Sequence, residues 1–140
     1  DVTLAMKNVG MSLPAADYYG HPRMKISHGS KAMSDFIIGV VRRFPIGLAI
    51  ITGHPAMVDR GPTHGRAVET GLVIASRDAV AADAVGAKVM GFDPSRIRHI
   101  AEAGRLGLGE ADLARIEIRG LSLEEASRRF RELAYKEIRR

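Results

Sequence analysis

A glycine- and proline-containing run in the middle of the chain carries side chains that could perform chemistry. The run reads Gly61-Pro62-Thr63-His64-Gly65. His54 and Asp59 come shortly before it. Histidine can transfer protons or bind a metal near neutral pH, and a carboxylate can orient the imidazole. The backbone N–H groups of a glycine-rich turn can also bind an anion. These residues are therefore candidate catalytic and ligand-binding groups, and the alternative is a solvated connection without a function.

Three further polar residues are candidates for the same site. Lys7 and Asn8 follow a predicted short strand, and ligands bind beyond the strand ends in open α/β sheets. Asp83 shares the apolar stripe of a predicted helix, where an ionised carboxylate needs a partner. It either faces the loops at the strand ends as a buried acid or makes a structural hydrogen bond to a backbone N–H or a basic side chain. The pattern slightly favours the structural hydrogen bond.

Alternating strands and helices must position these groups. This order predicts an α/β fold, with a mostly parallel or mixed sheet and helices packed on its faces in two or three layers. The predicted strands cover residues 2–6, 46–52, 71–76 and 113–119. The second and third are continuously apolar, which is typical of strands buried on both faces. The segments predicted as long loops are residues 9–30 and 53–66.

Residue types that begin and end helices mark four predicted helices, over residues 32–44, 78–90, 93–103 and 121–140. Asp78 and Asp93 are predicted N-caps, and Gly91 is a predicted helix end. Ser122 and Glu125 have the spacing of a capping box before the amphipathic C-terminal helix. His99 lies within the third helix and is interpreted as an ordinary surface or packed histidine. Residues 1–140 are predicted to form a single α/β domain.

Composition excludes several kinds of site and partner. The 140 residues contain no cysteine, which excludes disulfides, thiolate chemistry and cysteine-ligated zinc or iron–sulfur clusters within them. The net charge is +5, and residues 1–66 hold eight basic against four acidic residues, which favours an anionic small molecule or cofactor phosphate. Seven aromatic residues, none interleaved with a basic cluster, argue against nucleic acid. No apolar run approaches the roughly 20 residues of a membrane-spanning helix.

Short motifs follow one another along residues 1–120 in an order that is more specific than any single motif. They read Leu4-Ala5-Met6-Lys7-Asn8, Met57-x-x-x-Gly61-Pro62-x-x-Gly65, Ile74-Ala75-Ser76-x-Asp78-x-Val80-Ala81-x-Asp83-Ala84, Met90-Gly91-Phe92-Asp93-Pro94 and Gly107-Leu108-Gly109. This order resembles domain-of-unknown-function family 362, bacterial and archaeal proteins often fused to ferredoxin-type iron–sulfur modules. The resemblance implies the C-terminal portion of a longer domain, because members usually carry a further N-terminal stretch.

One position departs from the family pattern. Thr52 precedes Gly53 where the family commonly has an Asp-Gly pair. If that aspartate is a ligand or a base in relatives, this copy is altered or inactive, or Asp59 takes over its role.

The residues and the resemblance together predict a small-molecule or anion-binding domain of a cytoplasmic, redox-linked protein. Lys7 and the loop N–H groups would bind an anionic group, a histidine would transfer protons or bind a metal, and Asp83 would orient them. The predicted partner is a small anionic molecule or a ferredoxin-type module. No cofactor is assigned, and any 4Fe-4S cluster would be held outside this cysteine-free segment.

Two alternatives stay open. The first is a non-catalytic scaffold or partner-binding module that uses residues 9–30 and the C-terminal helix as contact surfaces. The second is a metal-dependent hydrolase or isomerase that uses His54, His64 and Asp59, although their spacing matches no known metal motif.

Overall fold

The computed structural model describes residues 2–13, 31–61 and 64–135. Its helices are α1 (Ala5–Ser12), α2 (Lys31–Arg43), α3 (Ala79–Val89), α4 (Arg98–Arg105) and α5 (Leu123–Ala134). Its strands are β1 (Ala49–Thr52), β2 (Ala56–Arg60), β3 (His64–Val68) and β4 (Val73–Ser76). Short 3-10 helices cover Pro94–Arg96 and Leu113–Arg115. No helix in these residues is long and apolar enough to cross a membrane.

The four strands form two separate antiparallel pairs. β1 pairs with β4, so that Thr52 lies opposite Val73. β2 and β3 form a hairpin, in which Arg60 lies opposite His64. The α/β class is confirmed, but a mostly parallel sheet is wrong for the described strands. Parallel neighbours need a long crossover connection, usually a helix. Here the β2–β3 hairpin connects β1 to β4, and the two strands run antiparallel.

Helix α3 lies at the centre of the core because small apolar residues cover most of its surface. Nine of its eleven residues are buried, and only Val85 and Lys88 are not. One hydrophobic cluster packs α3 against α1, α2, α4 and one face of the β1–β4 pair. A second cluster joins Val89, near its C-terminal end, to the hairpin and α5. Alanine and glycine let these neighbours approach closely, as where the Leu4 side chain lies against Gly86.

The predicted helix signals at Asp78, Gly91 and Ser122 are confirmed. The Asp78 carboxylate is the N-cap of α3 and accepts hydrogen bonds from the N–H groups of Val80 and Ala81, at 2.9 and 3.0 Å. Gly91 follows α3 with φ +91°, the left-handed conformation that glycine favours. The capping box of Ser122 is present at the start of α5. Asp93 caps the 3-10 helix, so α4 begins only at Arg98.

Three predictions of local structure are wrong. Residues 5–12 form α1 where a strand and the start of a loop were predicted, because a side chain of α3 caps this helix from far along the chain. Residues 113–119 form no strand, because Asp112 caps a 3-10 turn there instead. Residues 53–66 contain most of a hairpin rather than an open loop, because Val58 and Val68 pack against α5. Residues 14–30 and the chain beyond residue 135 lie outside the described residues.

The predicted strands at residues 46–52 and 71–76 are confirmed as β1 and β4, but their burial on both faces is wrong. Ala49 is buried against the core, whereas Ile50 and Val73 are exposed on the opposite face. The described residues provide a helical layer on one side of this pair, through α3.

The hairpin is fixed at its base by the fully buried Thr70. Its hydroxyl donates to the carbonyl oxygen of Gly53 at 2.7 Å and accepts from the N–H of Leu72 at 3.3 Å. The N–H of Thr70 also donates to the Gly53 carbonyl, at 3.1 Å. A Cβ atom on Gly53 would lie 2.5 Å from the Thr70 hydroxyl oxygen, so only glycine allows this approach.

We predict that Gly53→Ala lowers the free energy of unfolding by roughly 1–3 kcal/mol, because the new methyl group displaces Thr70 from its hydrogen bonds. Gly47→Ala is the matched control, since a Cβ atom there meets nothing within 4 Å. It should change the free energy of unfolding by no more than about 0.5 kcal/mol. Urea denaturation of the two variants checks this, and equal effects would contradict the role of Gly53.

Candidate functional site

The structure places the sequence-predicted site residues in two separate parts of the core. Lys7 and Asp83 belong to elements of the first hydrophobic cluster, α1 and α3. His54, Asp59, Gly61, His64 and Gly65 lie on or beside the hairpin, which packs through the second cluster. Pro62 and Thr63 lie outside the described residues. The structure therefore does not gather the predicted residues around one centre.

Asp83 caps helix α1 from the middle of α3. Its side chain is fully buried, and its Oδ1 accepts a hydrogen bond from the N–H of Ala5 at 2.7 Å. Its Oδ2 accepts from the N–H of Met6 at 3.1 Å. The residue before α1, Leu4, supplies no side-chain cap of its own. A carboxylate at a helix N-terminus satisfies free N–H groups and faces the positive end of the helix dipole. The geometry therefore supports the structural role of Asp83, a hydrogen bond to backbone N–H groups.

Burial raises the pKa of Asp83 to about 7, because a charged carboxylate loses its hydration in the core. The hydrogen bonds from Met6 and Ala5 act in the opposite direction and favour the ionised form. An acid that binds its proton more tightly when folded is most stabilising at low pH. That contribution is lost as the pH rises from the unfolded-state value, near 4, towards 7.

Lys7 and His99 are basic side chains that are both buried in the fold. Lys7 is 6% exposed and His99 is 1% exposed. Burial lowers the pKa of the Lys7 ammonium. Burial, and then the nearby Lys7 charge, lowers the pKa of His99 to about 4, so His99 is neutral at pH 7. We call Lys7 and His99 the basic core pair.

His99 is the member of this pair that is not among the sequence-predicted site residues. It was interpreted as an ordinary surface or packed histidine, and its packing is what the structure confirms. On α4 it lies one residue from Ile100 and four from Ala103, and both of these are fully buried. Residues four apart share a helix face, so this stripe could have indicated a histidine that points into the core.

Side chains on and beside the hairpin make exposed polar contacts. His54 Nδ1 lies 2.6 Å from a carboxylate oxygen of Glu69, and both side chains are mostly exposed. Asp59 lies 3.5 Å from Arg66 Nε. Arg66 Nη2 also donates to the carbonyl oxygen of Ala134 at 2.6 Å, which ties the hairpin to the end of α5. These contacts fit a structural role of the hairpin charges.

The hairpin glycines make room for Met57. A Cβ atom on Gly65 would collide with the Met57 side chain, and one on Gly61 would lie 2.9 Å from its sulfur. Gly65 is also paired with Asp59 in the β2–β3 ladder. The geometry therefore accounts for both glycines by packing within the hairpin. In the part of the chain that the structure describes, no three His, Cys, Asp or Glu side chains are placed to hold a metal ion.

Two other predicted positions have simple local roles. The Thr52 hydroxyl oxygen accepts a hydrogen bond from the N–H of His54 at 3.3 Å. Aspartate makes the same kind of bond to the N–H two residues on, so Thr52 makes the turn contact that an aspartate at this position would make, without its charge. Asn8 is exposed on α1, and its backbone carbonyl accepts from the Ser12 hydroxyl.

Comparisons with known proteins give a family and one curated relative. The model of a family described as Domain of unknown function (DUF362) matches residues 1–88, more than half of the chain. Thylakoid-associated protein sll1697 of Synechocystis sp. is 29% identical over 108 residues, which are 76% of this chain and 33% of that protein. The chain thus spans about a third of the length of this curated relative. No solved structure matches the chain.

We predict that Asp83→Asn changes the pH dependence of stability. Relative to this variant, the wild-type protein should lose up to about 4 kcal/mol between pH 4 and pH 7.5, because the carboxyl group ionises in the core. Denaturation curves at several pH values measure this difference. Asp93→Asn is the control, because hydrogen bonds from Ser95 lower the pKa of Asp93 and give the opposite sign. Parallel pH curves for wild type and Asp83→Asn would contradict the assignment.

Proposed function

The chain belongs to the family described as Domain of unknown function (DUF362), and from this premise we propose that it binds a small anionic molecule at Lys7 and His99. We further propose that it does so within a cytoplasmic, redox-linked protein that works with ferredoxin-type iron–sulfur modules. The observation that carries the binding proposal is that these two basic side chains are both buried and that the Lys7 charge acts on His99.

An anion is the ligand that this arrangement favours. The positive charge of Lys7 lowers the pKa of His99, in addition to the effect of burial. A negative charge placed near both would be attracted by the Lys7 ammonium and would favour the protonated form of His99. Groups whose pKa values are strongly perturbed by burial and by a specific charge also concentrate at functional sites. The site would take a carboxylate or a phosphate group.

Asp83 has a positioning role in this proposal. Its two hydrogen bonds hold the first N–H groups of α1, and Lys7 follows Met6 directly on that helix. Displacement of the α1 N-terminus would move the Lys7 side chain relative to His99. Asp83 is therefore proposed to set the distance between the two basic groups without contacting the ligand.

The association with iron–sulfur modules depends on the family resemblance. The chain contains no cysteine, so a cluster would be ligated by another part of the protein or by a partner. In this proposal the domain supplies the binding site for an anionic molecule and the iron–sulfur module supplies electrons. The metal-dependent alternative gains no support from the hairpin, where Glu69 engages His54 and Arg66 engages Asp59.

We predict that inorganic phosphate or succinate raises the pKa of His99 above its value of about 4 in the free protein. The pKa is read from the imidazole NMR signal, which His99→Gln identifies. Lys7→Met should weaken anion binding roughly tenfold or more, because one of the two positive charges is removed. Methionine retains the length of the lysine side chain, so the core should still pack.

Lys31→Met is the matched control for charge. Lys31 is exposed on α2 and pairs with Asp35 at 2.7 Å, so this variant removes one positive charge at the surface. It should leave the affinity for both anions nearly unchanged. Two results would overturn the proposal: no change in the pKa of His99 with either anion, or equal losses of affinity in Lys31→Met and Lys7→Met.

A further inference from the structure

Among the residues that the structure describes, no element covers one apolar face of the β1–β4 pair, which we call the outer face. The inward residues Ala49, Ile51 and Ile74 pack into the core beside α3. Alternate residues of a strand point to opposite sides, so the intervening positions form the other face. Its members are Leu48, Ile50, Thr52, Val73 and Ala75. The three large apolar side chains, Leu48, Ile50 and Val73, are 59%, 63% and 64% exposed.

This face has the composition of a covered surface. An antiparallel sheet with one wet face alternates apolar and polar residues, whereas continuous apolar strands are typical of sheets covered on both sides. Only Thr52 is polar among the outer-face residues. Among the described strands, β1 and β4 pair only with each other, so neither has a second neighbouring strand. Exposed apolar strands of this kind mark a site for association.

The outer face alone is too small to hold a second copy of the chain in a stable dimer. The outer face has five residues, whereas a standard stable interface uses about 20–30 residues on each side. A covering layer that is part of the same polypeptide needs no such area, because its attachment removes most of the entropy cost of association. The Synechocystis relative is about three times as long as the segment that matches it, so family members of that length carry the additional polypeptide.

We propose that the outer face is the docking surface for a further apolar layer, supplied by polypeptide that the natural gene product carries beyond these 140 residues. The layer would bury Leu48, Ile50 and Val73 and convert the one-sided sheet into a sheet covered on both faces. This inference is independent of the anion site, because Lys7 and His99 belong to α1 and α4, on the covered side of the fold.

Hydroxyl-radical footprinting of the natural gene product tests the proposal without any substitution. Side chains about 60% exposed in this chain should be protected roughly threefold or more once the layer covers them. Leu13 and Leu106, which are exposed elsewhere, are internal controls and should stay reactive. The protection should be unchanged on dilution, because the covering layer is covalently attached.

Three results would overturn the proposal: reactive outer-face residues in the natural gene product, protection that is lost on dilution, or a gene product no longer than these residues. Loss on dilution would indicate a second copy or a separate partner instead. The double variant Ile50→Thr and Val73→Thr gives an independent measurement. It should lower the unfolding midpoint of the natural gene product, whereas Leu106→Thr should not. Equal midpoints for the two variants would also contradict the covering layer.

Discussion

The contact between the Asp83 carboxylate and the first N–H groups of α1 is the interaction on which the rest of this core depends. It joins two helices that are distant in the sequence, and it gives α1 the cap that its own residues lack. The carboxylate loses hydration in the core, and the two hydrogen bonds offset part of that cost. The same contact fixes the start of the helix that carries Lys7. A structural hydrogen bond and the position of a proposed binding residue therefore depend on one side chain.

Helix α3 can accept so many neighbours because its side chains are small and its two acids are both used as hydrogen-bond acceptors. Asp78 caps the helix and also accepts from the N–H of Glu110 at 2.7 Å, which fixes the preceding glycine-containing turn. A Cβ atom on Gly109 would collide with that carboxylate. Asp83 fixes α1 in the same way, five residues later. Asp78 and Asp83 thus hold the turn before Glu110 and the start of α1 by accepting hydrogen bonds from backbone N–H groups, not by forming salt bridges.

The sequence predicts the parts of this fold that depend on neighbouring residues. The caps at Asp78 and Ser122 are predictable because donor and acceptor lie within three residues, and β1 and β4 are predictable from their apolar runs. Helix α1 is not, because its cap is supplied from α3, and residues 53–66 form a hairpin only because α5 packs against it. The candidate site shows the same limit: Lys7 and Asp83 could be selected by type, but the burial of His99 arises from tertiary packing.

The distance along the chain between α1 and its cap has a consequence during synthesis. The hydrogen bond from Ala5 to Asp83 spans 78 residues. At ribosomal rates of roughly 5–20 residues per second, α1 waits about 4–16 s before its capping residue has even been polymerised. An isolated helix of eight residues is marginal in water, so α1 cannot persist during that interval. This region therefore cannot fold in the order in which it is synthesised, and the apolar residues of α1 must stay unassembled until α3 emerges.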